Sequence, residues 1–165
     1  MTNLEGQESI KGPFITCACF CEKVLQEKDG ILSAVRIIDR MTINLIPNPA
    51  FSLPPGILPP LPTKLPPLPL TVSLLIMFKS GDIRGSYPIR IVGNNPSQRE
   101  FFSFENNALF EGEDRGVNLV LNINFVVQEE GVHWFNVNFN EEKNPRTRIP
   151  LRIVYQRMVS TPGDQ

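Results

Sequence analysis

Apolar and polar residues alternate with a period of two along most of this chain, and a period of 3.6 is almost nowhere found. Successive side chains of a strand point to opposite faces of a sheet, so this alternation predicts strands with one buried and one wetter face. The clearest run is Val117–Gln128, where Val117, Leu119, Leu121, Ile123, Phe125 and Val127 alternate with Asn118, Asn122, Asn124 and Gln128. Beyond Glu129-Glu130-Gly131, the residues His133, Phe135, Val137 and Phe139 alternate with Asn136, Asn138 and Asn140, so the two runs predict a hairpin. Ile149, Leu151, Ile153 and Tyr155 repeat the pattern after a second polar turn.

Upstream, Thr71–Lys79 sets Val72, Leu74, Ile76 and Phe78 on one face, and Ser80-Gly81-Asp82 predicts a turn into a further strand over Arg84–Val92. Phe14–Leu25 and Ile31–Leu45 flank Glu27-Lys28-Asp29-Gly30, whose Asp-Gly pair supplies the positive φ of a tight hairpin turn. A less regular strand within Arg99–Phe110 brings the expected count to about eight, a number that favours two packed sheets. The expectation is an all-β fold, an antiparallel β-sandwich with little or no helix. At 165 residues the chain is long enough to bury one sizeable core. Its expected organisation is a flexible N-terminal arm over 1–13, a single sandwich domain over 14–157 and a flexible C-terminal tail over 158–165.

One segment interrupts the alternation. Residues 47–70 hold most of the chain's 16 prolines and no charge except Lys64. Proline fixes φ and removes a ladder donor, so the repeats Leu58-Pro-Pro-Leu-Pro and Leu65-Pro-Pro-Leu-Pro predict a stiff insertion loop of polyproline-II or irregular extended chain. So apolar a loop must lie against something. It can cover an edge of its own sandwich, pack on a second copy of the chain, or enter another protein's aromatic-lined groove through Leu58, Pro59, Pro60, Leu61, Pro62 and Lys64.

Charge and cysteine content narrow the function classes. With 16 basic and 17 acidic side chains the net charge is −1, which offers no basic field for a phosphate backbone, so no nucleic acid is expected. The first residues carry neither a basic n-region nor an unbroken apolar run, and no apolar stretch approaches the roughly 20 residues of a membrane helix. The expectation is a cytoplasmic protein with no membrane partner. Cys17, Cys19 and Cys21 lie on one face of a strand, about 6.6 Å apart along it, too far for comfortable disulfide geometry. Apolar neighbours favour their being small buried hydrophobes over metal or redox groups, and with His133 the single histidine no metal or other cofactor is expected.

Catalytic constellations are thin. His133 at a strand head beside Trp134 reads as a turn or half-buried histidine rather than a general base. In Glu111-Gly112-Glu113-Asp114-Arg115-Gly116, the carboxylates Glu111, Glu113 and Asp114 can hold a hard cation or, in a solvated interstrand loop, pair with Arg115. No phosphate-cradling loop, zinc spacing or paired catalytic acids are present, so the chain is not expected to be an enzyme.

Several runs resemble an uncharacterised bacterial family known only as a domain of unknown function. These are Ala18-Cys-Phe-Cys-Glu-Lys-Val24, Gly30-Ile-Leu-Ser-Ala-Val-Arg-Ile-Ile-Asp-Arg40, Phe110-Glu-Gly-Glu-Asp-Arg-Gly-Val-Asn-Leu119, Glu130-Gly-Val-His-Trp-Phe135 and Ile149-Pro-Leu-Arg-Ile-Val-Tyr-Gln-Arg157. The resemblance spans about Phe14 to Arg157 and implies a soluble bacterial β-sandwich with no assigned activity; the proline-rich insertion is longer than the family's usual connection. The run from Gly131 to Phe135 is also similar to the glycine-then-aromatic strand starts of immunoglobulin-like sandwiches, an analogy of fold that names no ligand.

The function expected is a non-catalytic protein-interaction or assembly module whose partner is another protein or a second copy. Candidate surfaces are the sheet edges, the proline-rich loop, the segment Glu111–Arg115 and Trp134. One alternative is a sandwich that binds or senses a small molecule or metal ion; another is an enzyme of unrecognised type.

Overall fold

A computed structural model describes residues 11–45 and 66–157. Seven strands make up these residues: β1 (Phe14–Gln26), β2 (Leu32–Ile38), β3 (Arg40–Leu45), β4 (Leu68–Asn94), β5 (Glu100–Val127), β6 (Gly131–Phe139) and β7 (Thr147–Arg157). Among the described residues there is no helix, as the period-two pattern predicts. The strands form one sheet in the order β2-β1-β4-β6-β7-β3, with β5 paired to β4 off this path.

The long strands β4 and β5 decide the shape. They pair antiparallel from Leu68↔Val127 to Asn94↔Glu100, so Arg84–Val92 continues the strand begun at Leu68 and does not fold back on it. This corrects two expectations. Ser80-Gly81-Asp82 is not a hairpin turn, and the runs Arg99–Phe110 and Val117–Gln128 are two ends of one strand.

What the sequence pattern marks at Ser80–Asp82 and Gly112–Arg115 is a corner. The register slips between Lys79 and Gly81 and again between Gly81 and Arg84, which lets each strand take up an extra residue. In β4 the core-facing set changes from even positions (Val72, Leu74, Ile76, Phe78) to odd ones (Ile89, Ile91) across the corner. In β5 it changes from Phe104 and Phe110 to Ile123, Phe125 and Val127. An extra residue in a strand with a side-chain period of two moves every later side chain to the other face. Here the phase change and the sharp bend coincide, and both apolar sets end up inside the curl.

Chain crossing at β2–β3 follows the same rule. The expected strand Ile31–Leu45 divides at Asp39: β2 pairs antiparallel with β1, whereas β3 pairs parallel with β7 from Arg40↔Arg152 to Leu45↔Arg157. The sheet is therefore mixed rather than wholly antiparallel. Ile38 on β2, and Met41 and Ile43 on β3, pack against the core from either side of that division, with the phase again changed by one residue.

The expected hairpin at Glu27–Gly30 is present. Gly30 holds φ at +84°, its N–H donates to the Glu27 carbonyl at 3.0 Å, and Asp29 Oδ1 accepts from the Ile31 N–H at 3.1 Å. The expected β6–β7 hairpin is present as well. Glu129–Gly131, however, is a crossover: β6 pairs with Ile89–Asn94 of β4 and with β7, and not with the run Val117–Gln128 before it.

The curl brings aromatic rings of distant strands together. Phe135 is fully buried and lies 4.8 Å from Phe20, 5.5 Å from Phe101 and 6.2 Å from Phe125, centroid to centroid. These rings meet edge-on, the arrangement their quadrupoles favour. A bulge at Gly93–Asn94 turns both Phe101 and Phe102 inward, and Gly93 has no side chain because a Cβ there would sit 3.0–3.2 Å from Phe102, Phe101 and Phe135.

Candidate functional site

Three surfaces gather the polar groups that the core leaves free. The first is the corner. Arg84 donates from Nη1 to the Glu111 carbonyl at 2.5 Å and from Nη2 to Glu113 Oε1 at 2.8 Å, while Arg115 Nη1 donates to Glu111 Oε2 at 2.8 Å. Ser80, fully buried, donates to the Arg115 carbonyl at 2.9 Å, and Lys79 Nζ donates to the Asp114 carbonyl at 2.5 Å. The pairing of Arg115 with a carboxylate matches expectation. The setting does not, because Glu111–Arg115 is a bulged bend inside β5 rather than a loop between strands. Each cation serves a backbone carbonyl or a carboxylate at the bend, so the cluster braces it. Arg84, which sequence reading did not single out, is its centre. The hydrogen bond to Glu111, and then the neighbouring carboxylates, push the Arg115 pKa further up.

The second surface surrounds the β4–β5 turn at Asn95–Arg99. Glu129, from the crossover, accepts from Asn95 Nδ2 at 2.7 Å, Ser97 Oγ at 3.0 Å, the Ser97 N–H at 3.1 Å and Arg99 Nη2 at 2.9 Å. Burial works against its charge, yet the bonds from Arg99 and Ser97 outweigh that and hold its carboxyl below the ordinary value. A cavity of about 200 Å³ opens beside this network, lined by Asn95, Arg99, Phe101, Val126, Glu129 and His133.

His133 is 2% exposed, which corrects the expectation of a turn or half-buried residue. The strand phase that buries Phe135 and Val137 also carries His133 inward, where its ring stands edge-on to Phe101 at 5.6 Å. Its Nδ1 has no partner among the described residues. Burial pushes the imidazole pKa down; a hydrogen bond to the Gly131 backbone and the Glu129 charge oppose this without reversing it.

The folded-state pKa lies below the unfolded value of about 6.5, so the unfolded chain binds the proton first. The contribution of His133 is fully present above about pH 6.5 and is lost as pH falls from there through the folded pKa. Thermal melting between pH 8 and pH 5 is expected to show Tm declining on the acid side, and His133→Phe to flatten that decline. An equal decline in the variant would place the pH dependence elsewhere.

The third surface is the outer face of β6 and β7. The Arg148 guanidinium lies 4.6 Å from the Trp134 ring centroid, and its Nε donates to Asn136 Oδ1 at 3.0 Å. Asn136 Nδ2 in turn donates to Asn94 Oδ1 at 2.9 Å. Asn136 and Arg148 border a shallow groove of about 450 Å³ that also includes Arg90, Glu100 and Asn138. Trp134 is half-buried, its ring already covered by a cation.

The predicted site residues are not brought together. Glu111 pairs across from Arg84, and Trp134 pairs across from Asn94, so ten β4 residues separate the two positions, roughly 33 Å of strand. Leu58, Pro59, Pro60, Leu61, Pro62 and Lys64 lie outside the described residues. No group of three or more His, Cys, Asp or Glu side chains is placed to hold a metal ion among the described residues. In particular, Glu111, Glu113 and Asp114 do not converge. No helix among the described residues is long and apolar enough to cross a membrane.

Sheet edges complete the inventory. Among the described residues, β5 pairs with β4 along one side and with nothing along the other, over its full 28 residues. Leu109, Val126 and Val120 stand on this strand 63%, 53% and 41% exposed. No protein-family model matches the chain, and no curated protein matches it significantly.

Proposed function

We propose that this chain is a non-catalytic protein-interaction and assembly module that docks its partner along the open edge of β5. The observation that carries the reading is the length of that edge. Natural sheets blunt edges by keeping them short or by charging, bulging or covering them. Here two bulges, at the corner and at Phe101, are all that interrupt the pairing of its 28 residues, and the strand carries Leu109, Val120 and Val126 exposed. An unpaired edge offers alternate N–H and C=O groups to an added strand, whose backbone supplies affinity while its side chains supply selectivity. A second β5 is one such strand, and antiparallel pairing with itself gives a closed twofold dimer. In this reading the curled sheet serves as an immunoglobulin-like sandwich scaffold that presents the edge, in a cytoplasmic protein.

The test is the mass in solution. Light scattering is expected to find the wild-type chain as a dimer, and the variant Leu109→Lys/Val120→Lys/Val126→Lys as a folded monomer, since like charges face one another across a self-paired edge. A wild type that stays monomeric at all accessible concentrations contradicts self-pairing.

A second reading rests on the cavity beside Glu129. The unpartnered Nδ1 of buried His133 is a polar atom that a small ligand or a water molecule can satisfy. In that case the chain binds or senses a small molecule there.

A further inference from the structure

Sulfur is concentrated at one place on the outer face of the sheet. Cys17 and Cys19 of β1 lie with their Sγ atoms 3.8 Å apart, and neither is fully buried. A bulge at Thr16 restores the phase of β1 so that Cys17 pairs directly across from Met77 of β4, and Met77 is also only partly buried. Cross-strand partners share a face with Cβ atoms about 5 Å apart, within reach of a methionine side chain. Ile37, exposed at the adjoining edge strand, and Val120 make the surroundings apolar.

We propose that Cys17, Cys19 and Met77 form a three-sulfur site for a soft monovalent metal ion, with Cu(I) as the ion the donor set fits. Two thiolates and a thioether are soft ligands, which select Cu(I) over hard divalent ions. Geometry gives the coordination number. With metal–sulfur bonds of about 2.3 Å, a linear site sets its sulfurs roughly 4.6 Å apart and a trigonal one roughly 4.0 Å. The observed 3.8 Å is too short for a linear site and fits one with three or four ligands, and Met77, directly across from Cys17, is assigned as the third donor. Zinc would take four ligands, and no further His, Cys, Asp or Glu completes such a set among the described residues.

Binding involves no change of oxidation state. Two S–H bonds break, two Cu–S bonds form, the thioether donates a lone pair, and two protons pass to solvent for each Cu(I) taken up. Affinity therefore rises with pH.

The experiment titrates the full-length protein with Cu(I) alone under argon, against a chromophoric Cu(I) chelator, at several pH values. One Cu(I) per chain is expected to leave the chelator, more completely as pH rises. Cys17→Ser and Cys19→Ser should each weaken binding roughly 100-fold and Met77→Leu roughly tenfold, with Cys21→Val unchanged. Met77→Leu conserves volume, so it reports on the site even where a cysteine variant fails to fold. X-ray absorption of the loaded wild type should show three sulfurs near 2.3 Å. Failure of the wild type to compete with the chelator, a pH-independent affinity, full binding by Met77→Leu, or one copper shared by two chains would overturn the assignment.

Discussion

Replacing Phe135 by alanine is expected to cost about 3–5 kcal/mol of folding stability, the largest loss from a single substitution in this protein. The ring is fully buried where strands from both sides of the curl converge, touching Phe20 on β1, Phe101 and Phe102 near the start of β5, and Phe125 near its end. Truncation removes the burial of a large apolar surface and leaves a void that Gly93, itself without a side chain, does nothing to fill. Set against the 5–15 kcal/mol of a typical domain, the loss lowers Tm by roughly 6–20 °C. Chemical denaturation checks it, with exposed Gln128→Ala as the control expected within about 0.5 kcal/mol of wild type. A loss under about 1.5 kcal/mol for Phe135→Ala would mean that the two halves of the sheet do not close on this ring.

Gly112→Ala is expected to cost about 2–4 kcal/mol, although it adds only one methyl group, at a corner glycine buried beneath Arg84. Two separate penalties combine there. Gly112 holds φ at +83°, a left-handed conformation that costs an L-residue about 1–2 kcal/mol. Its added Cβ would also stand 2.6 Å from Arg84 Cζ, so the guanidinium must leave and give up its bonds to the Glu111 carbonyl and Glu113. The second penalty depends on Arg84. In the Arg84→Ala background, Gly112→Ala should therefore cost only the backbone part, a positive coupling of about 1 kcal/mol or more in a double-mutant cycle. Additive losses would show that Arg84 does not brace the bend.

The strand content was legible because half-burial writes itself into the sequence every second residue. Val117–Val127 and His133–Phe139 are strands with the faces their alternation predicts, and Asp29-Gly30 turns as its chemistry demands. What alternation does not convey is which strand lies beside which. A polar break with a change of phase, such as Ser80-Gly81-Asp82, reads the same for a hairpin turn, where the chain doubles back, as for a corner, where it continues and an extra residue rotates the later side chains inward. Only the pairing of Val72–Lys79 with Gly116–Ile123, rather than with Arg84–Val92, distinguishes the two. For the same reason the parallel pairing of β3 with β7 has no local signature.

The candidate site was less legible still. The carboxylates and Arg115 were visible as a cluster, but their common partner Arg84 is 27 residues from Glu111 in sequence. The four donors to Glu129 come from the turn some 30 residues earlier in the chain. A signal was available at Asn95-Pro96-Ser97-Gln98-Arg99, a polar turn sequence with a trailing cation, yet nothing in it points to Glu129. His133 stands at a strand head, which suggests solvent, while its phase with the buried Phe135 places it inside.

Amide hydrogen exchange along β5 tests the central claim most directly. In a strand with one free edge, alternate amides bond to β4 and the others face outward and exchange quickly. If the open edge takes up a second β5, the outward amides slow as protein concentration rises, and they stay fast in Leu109→Lys/Val120→Lys/Val126→Lys. Outward amides that exchange equally fast at every concentration, in wild type and variant alike, would contradict self-docking at this edge.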